Sequence, residues 1–181
     1  MFEEIAKYSV IIFDLDGTLI DLSINWEELR IELEQKFHYP FRPFFKSFEN
    51  LSRETKEKVL QILQKHEQSG LLNSKPNERM KYLVRDLARK NKKLAVFSSN
   101  SNLTIEQTLN NMGLRGNFNI IIGCEDVEKH KPHPEGLFLI LKHFKVLPSQ
   151  VVYIGNDLKD FEAATRSGIQ FYFVNQVNPD E

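Results

Sequence analysis

Two carboxylates at the end of a short apolar run are the feature of this 181-residue chain that bears most directly on chemistry: Asp14 and Asp16, in Asp14-Leu15-Asp16-Gly17-Thr18 after Val10-Ile11-Ile12-Phe13. The run reads as a buried strand of a parallel sheet, and the carboxyl ends of such strands are where open α/β sheets bind ligands. Burying two like charges together is costly unless a cation or a proton compensates them. The pair therefore points to a metal site, to a nucleophile with a general acid, or to both. An EF-hand calcium loop needs glycine at its sixth position and an acid at its twelfth; counted from Asp14, the glycine falls fourth and Asn25 twelfth. A plain turn accounts for Asp16-Gly17 but not for Asp14.

Three further polar clusters fall at comparable places. Ser98-Ser99-Asn100 closes the apolar run that starts at Leu94 and precedes a helical stretch. Hydroxyls and exposed backbone N–H groups there suit a phosphoryl group, although a helix cap alone also accounts for them. Lys131, in Lys129-His130-Lys131-Pro132-His133-Pro134-Glu135, has the charge to neutralise a phosphate or to hold an aspartate nucleophile, while its ordinary reading is a solvated loop lysine. His130 and His133 make a poor metal pair without a cysteine partner. Gly155-Asn156-Asp157-Leu158-Lys159-Asp160 offers oxygen donors that would complete a hard-cation site with Asp14 and Asp16, or a helix cap with acids in its first turn.

The elements that must position these clusters alternate. Strand candidates are Val10–Phe13, Leu94–Ser98, Phe118–Ile122, Val151–Gly155 and Phe171–Val174, and helices are expected over Asn77–Asn91, Leu103–Met112, Pro134–His143 and Asp157–Ser167. That order predicts an α/β fold, a Rossmann-like parallel sheet of about five strands with helices on both faces. The stretch from Asp21 to Lys75 breaks the rhythm. It holds no convincing strand, has helical spacing over Trp26–Phe37 and Arg53–His66, and is interrupted by Pro40 and Pro43. Gly70 reads as a helix stop and Asn73-Ser74-Lys75-Pro76 as a linker. The expected division is a core domain over 1–20 and 76–181 and a small helical cap over 21–75, inserted after the first strand.

Composition narrows the function classes. With 24 basic and 25 acidic residues there is no electrostatic case for a nucleic-acid or membrane partner. A single cysteine, Cys124, permits no internal disulfide and suits a reducing cytosol. The start, Met1-Phe2-Glu3-Glu4, lacks the features of a signal peptide, and no apolar run reaches the length of a membrane span, so a cytoplasmic location is expected.

With the four clusters in place, the sequence resembles the haloacid dehalogenase superfamily, in its phosphoglycolate-phosphatase-like branch. The resemblance rests on Asp14-Leu15-Asp16-Gly17-Thr18, Ser98, Lys131-Pro132-His133-Pro134 and Gly155 through Asp160, and it spans Val10–Ile20 and Asn77–Val174. It implies a Mg²⁺-dependent phosphatase acting on a small phosphorylated metabolite such as phosphoglycolate. Asp14 would attack phosphorus to give an aspartyl-phosphate, and Asp16 would serve as general acid and then base. Mg²⁺ would be held by the Asp14 side chain, the Asp16 carbonyl and Asn156. Lys131 would neutralise charge, while Ser98 and the N–H groups of Ser99 and Asn100 would hold phosphoryl oxygens. Asp160 would bind metal through water or orient Lys131.

One position departs from the family, which usually has aspartate where this chain has Asn156; Asp157 is the alternative ligand. Asp16 argues against a dehalogenase, which attacks carbon and needs neither Mg²⁺ nor a proton for a leaving alkoxide. A phosphosugar mutase would keep the same residues. A catalytically silent binding protein is the reading from another class, and the intact Asp14, Asp16, Ser98 and Lys131 argue against it. Substrate choice is expected to lie with the insertion, where Trp26, Arg30, Arg42 and Phe41 to Phe45 are candidates. The sequence leaves the substrate and the oligomeric state open.

Overall fold

The computed structural model describes residues 2–177; Met1 and residues 178–181 of the expected core domain lie outside them. Five strands form one parallel sheet: β1 (Val10–Phe13), β4 (Lys93–Phe97), β5 (Ile120–Ile122), β6 (Val151–Gly155) and β7 (Gln170–Phe173), in the order β5-β4-β1-β6-β7. β1 is central and buried along its whole length, as its unbroken apolar sequence requires.

Alternate side chains of the sheet feed two cores. Ile11, Phe13, Leu94, Val96, Val152 and Ile154 face α5 (Glu78–Arg89) and α6 (Asn102–Asn111), with Ile5 from the short α1 (Phe2–Ile5) beside them. Val10, Ile12, Ala95, Phe97, Val151 and Tyr153 face α7 (Glu135–Phe144) and α8 (Leu158–Ser167). This is the α/β arrangement that the alternating sequence predicts, with strand ends displaced by one or two residues: the third strand starts at Ile120 rather than Phe118, and the fifth ends at Phe173 rather than Val174.

Between β1 and α5 lie three helices: α2 (Trp26–Phe37), α3 (Phe44–Glu49) and α4 (Arg53–Leu71). They share their own apolar cluster of Leu29, Leu33, Phe41, Phe48, Val59, Ile62 and Leu63, which also takes in Cys124. α3 follows the interruption at Pro43 and is absent from the sequence reading. α4 ends at Leu71, one residue past the expected stop at Gly70. A Cβ there would come within 3.0 Å of the Ser23 backbone, so the glycine serves the close crossing of two segments. The expected linker Asn73-Ser74-Lys75-Pro76 also carries a short strand. β2 (Ile20–Asp21) and β3 (Lys75–Pro76) pair antiparallel, and the Asn77 N–H donates to the Leu19 carbonyl. A two-residue ladder ending in proline carries no alternating pattern to betray it.

Candidate active site

The sheet register brings the four polar clusters to one edge. Phe13 lies beside Val96 on one side and Ile154 on the other, so the chain leaves all three strands at the same level. The Asp14 N–H donates to the Ile154 carbonyl (2.9 Å) and the Ser98 N–H to that of Ile122 (3.0 Å), which carries the ladder one step into the loops. There a cavity of about 210 Å³ is lined by Asp14, Asp16, Ser98, Ser99, Asn100, Lys131, Asn156, Asp157, Lys159 and Asp160, with Trp26 and Phe45 from the helical segment.

At its floor one cation serves two acids. Lys131 Nζ donates to Asp14 Oδ1 and to Asp160 Oδ1, each at 2.7 Å, and it lies 4.7 Å from the centre of the Phe97 ring. The Lys131 side chain is 4% exposed, so its charge stands against these acids rather than water. Burial disfavours that charge, but the two carboxylates more than offset it and hold the ammonium above its ordinary range. The acids divide unequally. Burial pushes both up, yet Asp160 ends below the usual carboxylate range because Lys131 and the Tyr153 hydroxyl (2.7 Å) donate to it. The N–H groups of Asn156 (3.3 Å) and Asp157 (3.2 Å) donate to it as well. Asp14 has Lys131 and, at 3.3 Å, the Thr18 hydroxyl on Oδ2. Burial, only partly countered by Lys131, raises it to about 7. With Asp14 ionised, two buried carboxylates on one ammonium leave a net negative charge, which a proton on Asp14 cancels below about pH 7 and a further cation would cancel in its place.

Asp16 sits above this pair. Its Oδ1 accepts from the Leu22 N–H (2.8 Å), and burial holds its carboxyl above the usual range. Gly17 turns the loop with φ +74° and leaves room for Asn156, whose amide nitrogen lies 2.0 Å from where a Cβ at Gly17 would stand. The Asn156 amide is thus packed onto the Asp16-Gly17 backbone. Asp157 Oδ1 instead caps α8 by accepting from the Lys159 N–H (3.1 Å). Among the described residues no three His, Cys, Asp or Glu side chains converge as a metal-ligand group. A cation here would rest on the Asp14 carboxylate, a backbone carbonyl and the Asn156 amide. That all-oxygen set, with its uncancelled charge, fits a hard divalent ion that keeps several waters.

The Ser98 loop is closed on itself. Ser98 Oγ donates to Asn100 Oδ1 (2.8 Å) and accepts from the Asn100 N–H (3.1 Å). The Asn100 N–H, which the sequence reading aims at a phosphoryl group, is therefore committed to Ser98. The Ser99 N–H has no partner among the described residues.

Some candidates lie elsewhere. Arg30 pairs with Glu27 and Glu34 along α2, and Arg42 reaches Glu27 at 3.4 Å, so neither lines the cavity. Phe41 is buried in the cluster of the helical segment. His130 lies between Glu49 and the Cys124 carbonyl, stacked on Phe45. Two residues escaped the sequence reading. Tyr153 carries the only hydroxyl in the buried run of β6, and a buried phenol requires a partner. Glu67 sits one turn beyond Leu63 on the buried stripe of α4, where an acid is out of place.

The sequence model of the haloacid dehalogenase-like hydrolases matches residues 11–174. A phosphoglycolate phosphatase of Aquifex aeolicus is 28% identical over 174 residues, covering 88% of this chain and 81% of its own. The pyrophosphatase PpaX of Bacillus pumilus is 26% identical over 180 residues, covering 90% and 81%. Among solved structures, a Bacteroides fragilis protein described as haloacid dehalogenase-like superposes with a TM-score of 0.72 at 27% identity, over 91% of this chain and 86% of its own.

Proposed function

The chain belongs to the haloacid dehalogenase-like hydrolase family, and on that premise we propose that it is a Mg²⁺-dependent phosphatase that cleaves a small phosphomonoester through an aspartyl-phosphate on Asp14. The observation that carries this reading is the buried bridge of Lys131 between Asp14 and Asp160, in one cavity with Asp16 and Ser98. A structural ion pair would not need an open cavity over its carboxylate.

Asp14 Oδ2, the oxygen that Lys131 does not hold, is the attacking atom in this reading. Lys131 fixes the other oxygen and, with Asp160 keeping it charged, offsets the negative charge that gathers on the transferring group. Asp16, whose carboxyl burial holds above the usual range, gives a proton to the leaving oxygen and then takes one from the attacking water. Ser98 turns its hydroxyl from Asn100 to a phosphoryl oxygen, joined by the Ser99 N–H. Mg²⁺ would be held by Asp14, the Asp16 carbonyl and Asn156. Its contribution when bound is to neutralise phosphoryl charge and fix the in-line geometry.

The helical segment over 21–75 acts in this proposal as a cap on a core of 1–20 and 76–181, with Trp26 and Phe45 over the cavity. Among the described residues no helix is long and apolar enough to cross a membrane. The names of the relatives suggest phosphoglycolate and inorganic pyrophosphate as first compounds to assay. The deciding experiment is a panel of phosphorylated metabolites with Mg²⁺ or with chelator. Turnover of at least one compound, abolished by chelator, supports the reading; no turnover across the panel, including aryl phosphates, refutes it.

A further inference from the structure

Glu67 belongs to α4, in the helical segment between β1 and α5, yet its carboxylate reaches into the core and is fully withdrawn from water. It accepts from Asn100 Nδ2 (2.9 Å) at Oε1, from the Ser101 N–H (3.2 Å to each oxygen) and from Ser101 Oγ (2.5 Å) at Oε2. Burying a carboxylate costs several kcal/mol unless charge or hydrogen bonds offset it. Among the described residues no cation does so; these donors and the positive end of α6, whose N-cap is Ser101, offset it in part, and burial still holds the carboxyl above its usual range. Such an arrangement holds a backbone in place as well as a charge. Because Asn100 gives its amide nitrogen to Glu67, its amide oxygen must face Ser98 Oγ. Because Ser101 gives both N–H and hydroxyl to the same carboxylate, the turn from Phe97 into α6 is pinned one residue beyond the loop.

We propose that Glu67 is the positioning residue of the Ser98–Asn100 loop: a carboxylate contributed by the helical segment that sets the place and orientation of the groups meeting the phosphoryl oxygens. The inference rests on the assignment of that loop to the phosphoryl group. Preorganised groups act in catalysis because they need little rearrangement when charge develops. The Ser98 hydroxyl still has to rotate from Asn100 to the phosphoryl oxygen; what Glu67 sets beforehand is the loop backbone, and with it the places of Ser98 Oγ and the Ser99 N–H, and a loop freed from Glu67 loses that advantage. The segment is then part of the phosphoryl site as well as a cover over the leaving group. A glutamine at 67 keeps the volume and one acceptor, but it must present an amide to either the Ser101 N–H or the Asn100 amide, so one of those donors is left facing another.

The test compares the full chain with Glu67→Gln, measuring inorganic phosphate binding by calorimetry in Mg²⁺ and kcat/KM on an alkyl and an aryl phosphate. The expected result is phosphate binding weaker by roughly tenfold or more, about 1.4 kcal/mol. kcat/KM should fall by the same factor on both esters, because the loop meets the phosphoryl end common to them. Parent-like phosphate binding in E67Q, with only a lower thermal midpoint, makes Glu67 a structural tie and overturns the inference. Unequal loss on the two esters also overturns it, by assigning Glu67 to the leaving group. Should E67Q fail to fold, Ser101→Ala removes one of the four bonds and is expected to weaken phosphate binding about threefold; unchanged binding there overturns the inference equally. Because calorimetry needs no turnover, the two readings fail separately. A parent that binds phosphate but hydrolyses nothing refutes the phosphatase and leaves Glu67 to be judged, whereas a parent that does not bind phosphate refutes both.

Discussion

Lys131 and Asp14 stand 117 residues apart in the chain and meet across 2.7 Å, with side-chain exposures of 4% and 8%. The same ammonium reaches Asp160 at the same distance, so the buried trio carries one positive and two negative groups. Asp160 keeps its charge with the help of the Tyr153 hydroxyl and two backbone N–H groups. Asp14 has fewer donors and gives way, up to about 7.

The first prediction follows from that imbalance. In unfolded chain an aspartate titrates near 3.9, so the folded, metal-free protein binds a proton on Asp14 that the unfolded chain has released. The stability this gives is complete below the unfolded value and is lost as pH rises towards about 7. Asp14→Asn removes the titration and leaves Lys131 paired with Asp160. In chelator, the variant should therefore gain thermal stability over the parent, and the gain should grow between about pH 5 and about pH 8. Melting curves at both pH values check it; a gain that shrinks with pH contradicts the charge balance described here.

Asn156→Asp should tighten Mg²⁺ binding by roughly tenfold, since it adds a charge where the amide lies against the Asp16-Gly17 backbone. Calorimetric titration of both proteins decides it. Affinity that is unchanged or weaker would transfer the ligand role to Asp157, although its Oδ1 caps α8.

Asp16→Ala should cost more on an alkyl phosphate than on a nitrophenyl phosphate, because a general acid matters most when the departing oxygen is a strong base. A difference of about tenfold or more between the two losses is the expected outcome. Equal losses would reduce Asp16 to a structural or metal-placing group.

Tyr153→Phe removes the hydroxyl that donates to Asp160 at 2.7 Å. A loss of about 1 kcal/mol in stability is expected near neutral pH. Asp160 is held below its ordinary range, so its contribution is present above the unfolded pKa and is lost as pH falls through the folded one. The cost of the variant should therefore shrink in acid. Chemical denaturation at neutral and acidic pH measures it, and an equal cost at both would place the hydroxyl's main partner at the Phe97 carbonyl, 3.2 Å away.

The sheet was legible because each of its strands is a short apolar run bounded by turns, and the run before Asp14 needs burial on both faces. The alignment of Asp14, Ser98, Lys131 and Asn156 was legible for the same reason: each cluster directly follows such a run or opens a helix. The insertion was read less well. Gly70 marks the end of α4 to within a residue, but sequence cannot show that Ser23 crosses there. Lys75-Pro76 has the look of a linker because a two-residue ladder has no period. Glu67 shows most about what was missed. Sequence reasoning put every candidate catalytic residue on the sheet side, and a carboxylate from α4 turned out to hold Asn100 and Ser101. An acid on an apolar helical stripe was the available signal, and only the fold names its partners.

The central claim is covalent catalysis by Asp14, and the direct measurement is rapid acid quench of the protein with a turned-over phosphoester and Mg²⁺, followed by mass spectrometry of the peptide that contains Asp14. The account predicts one added phosphoryl group on Asp14, absent from Asp14→Asn, which should have no measurable turnover. A phosphoryl group on another residue, or turnover by Asp14→Asn near the parent rate, would contradict it.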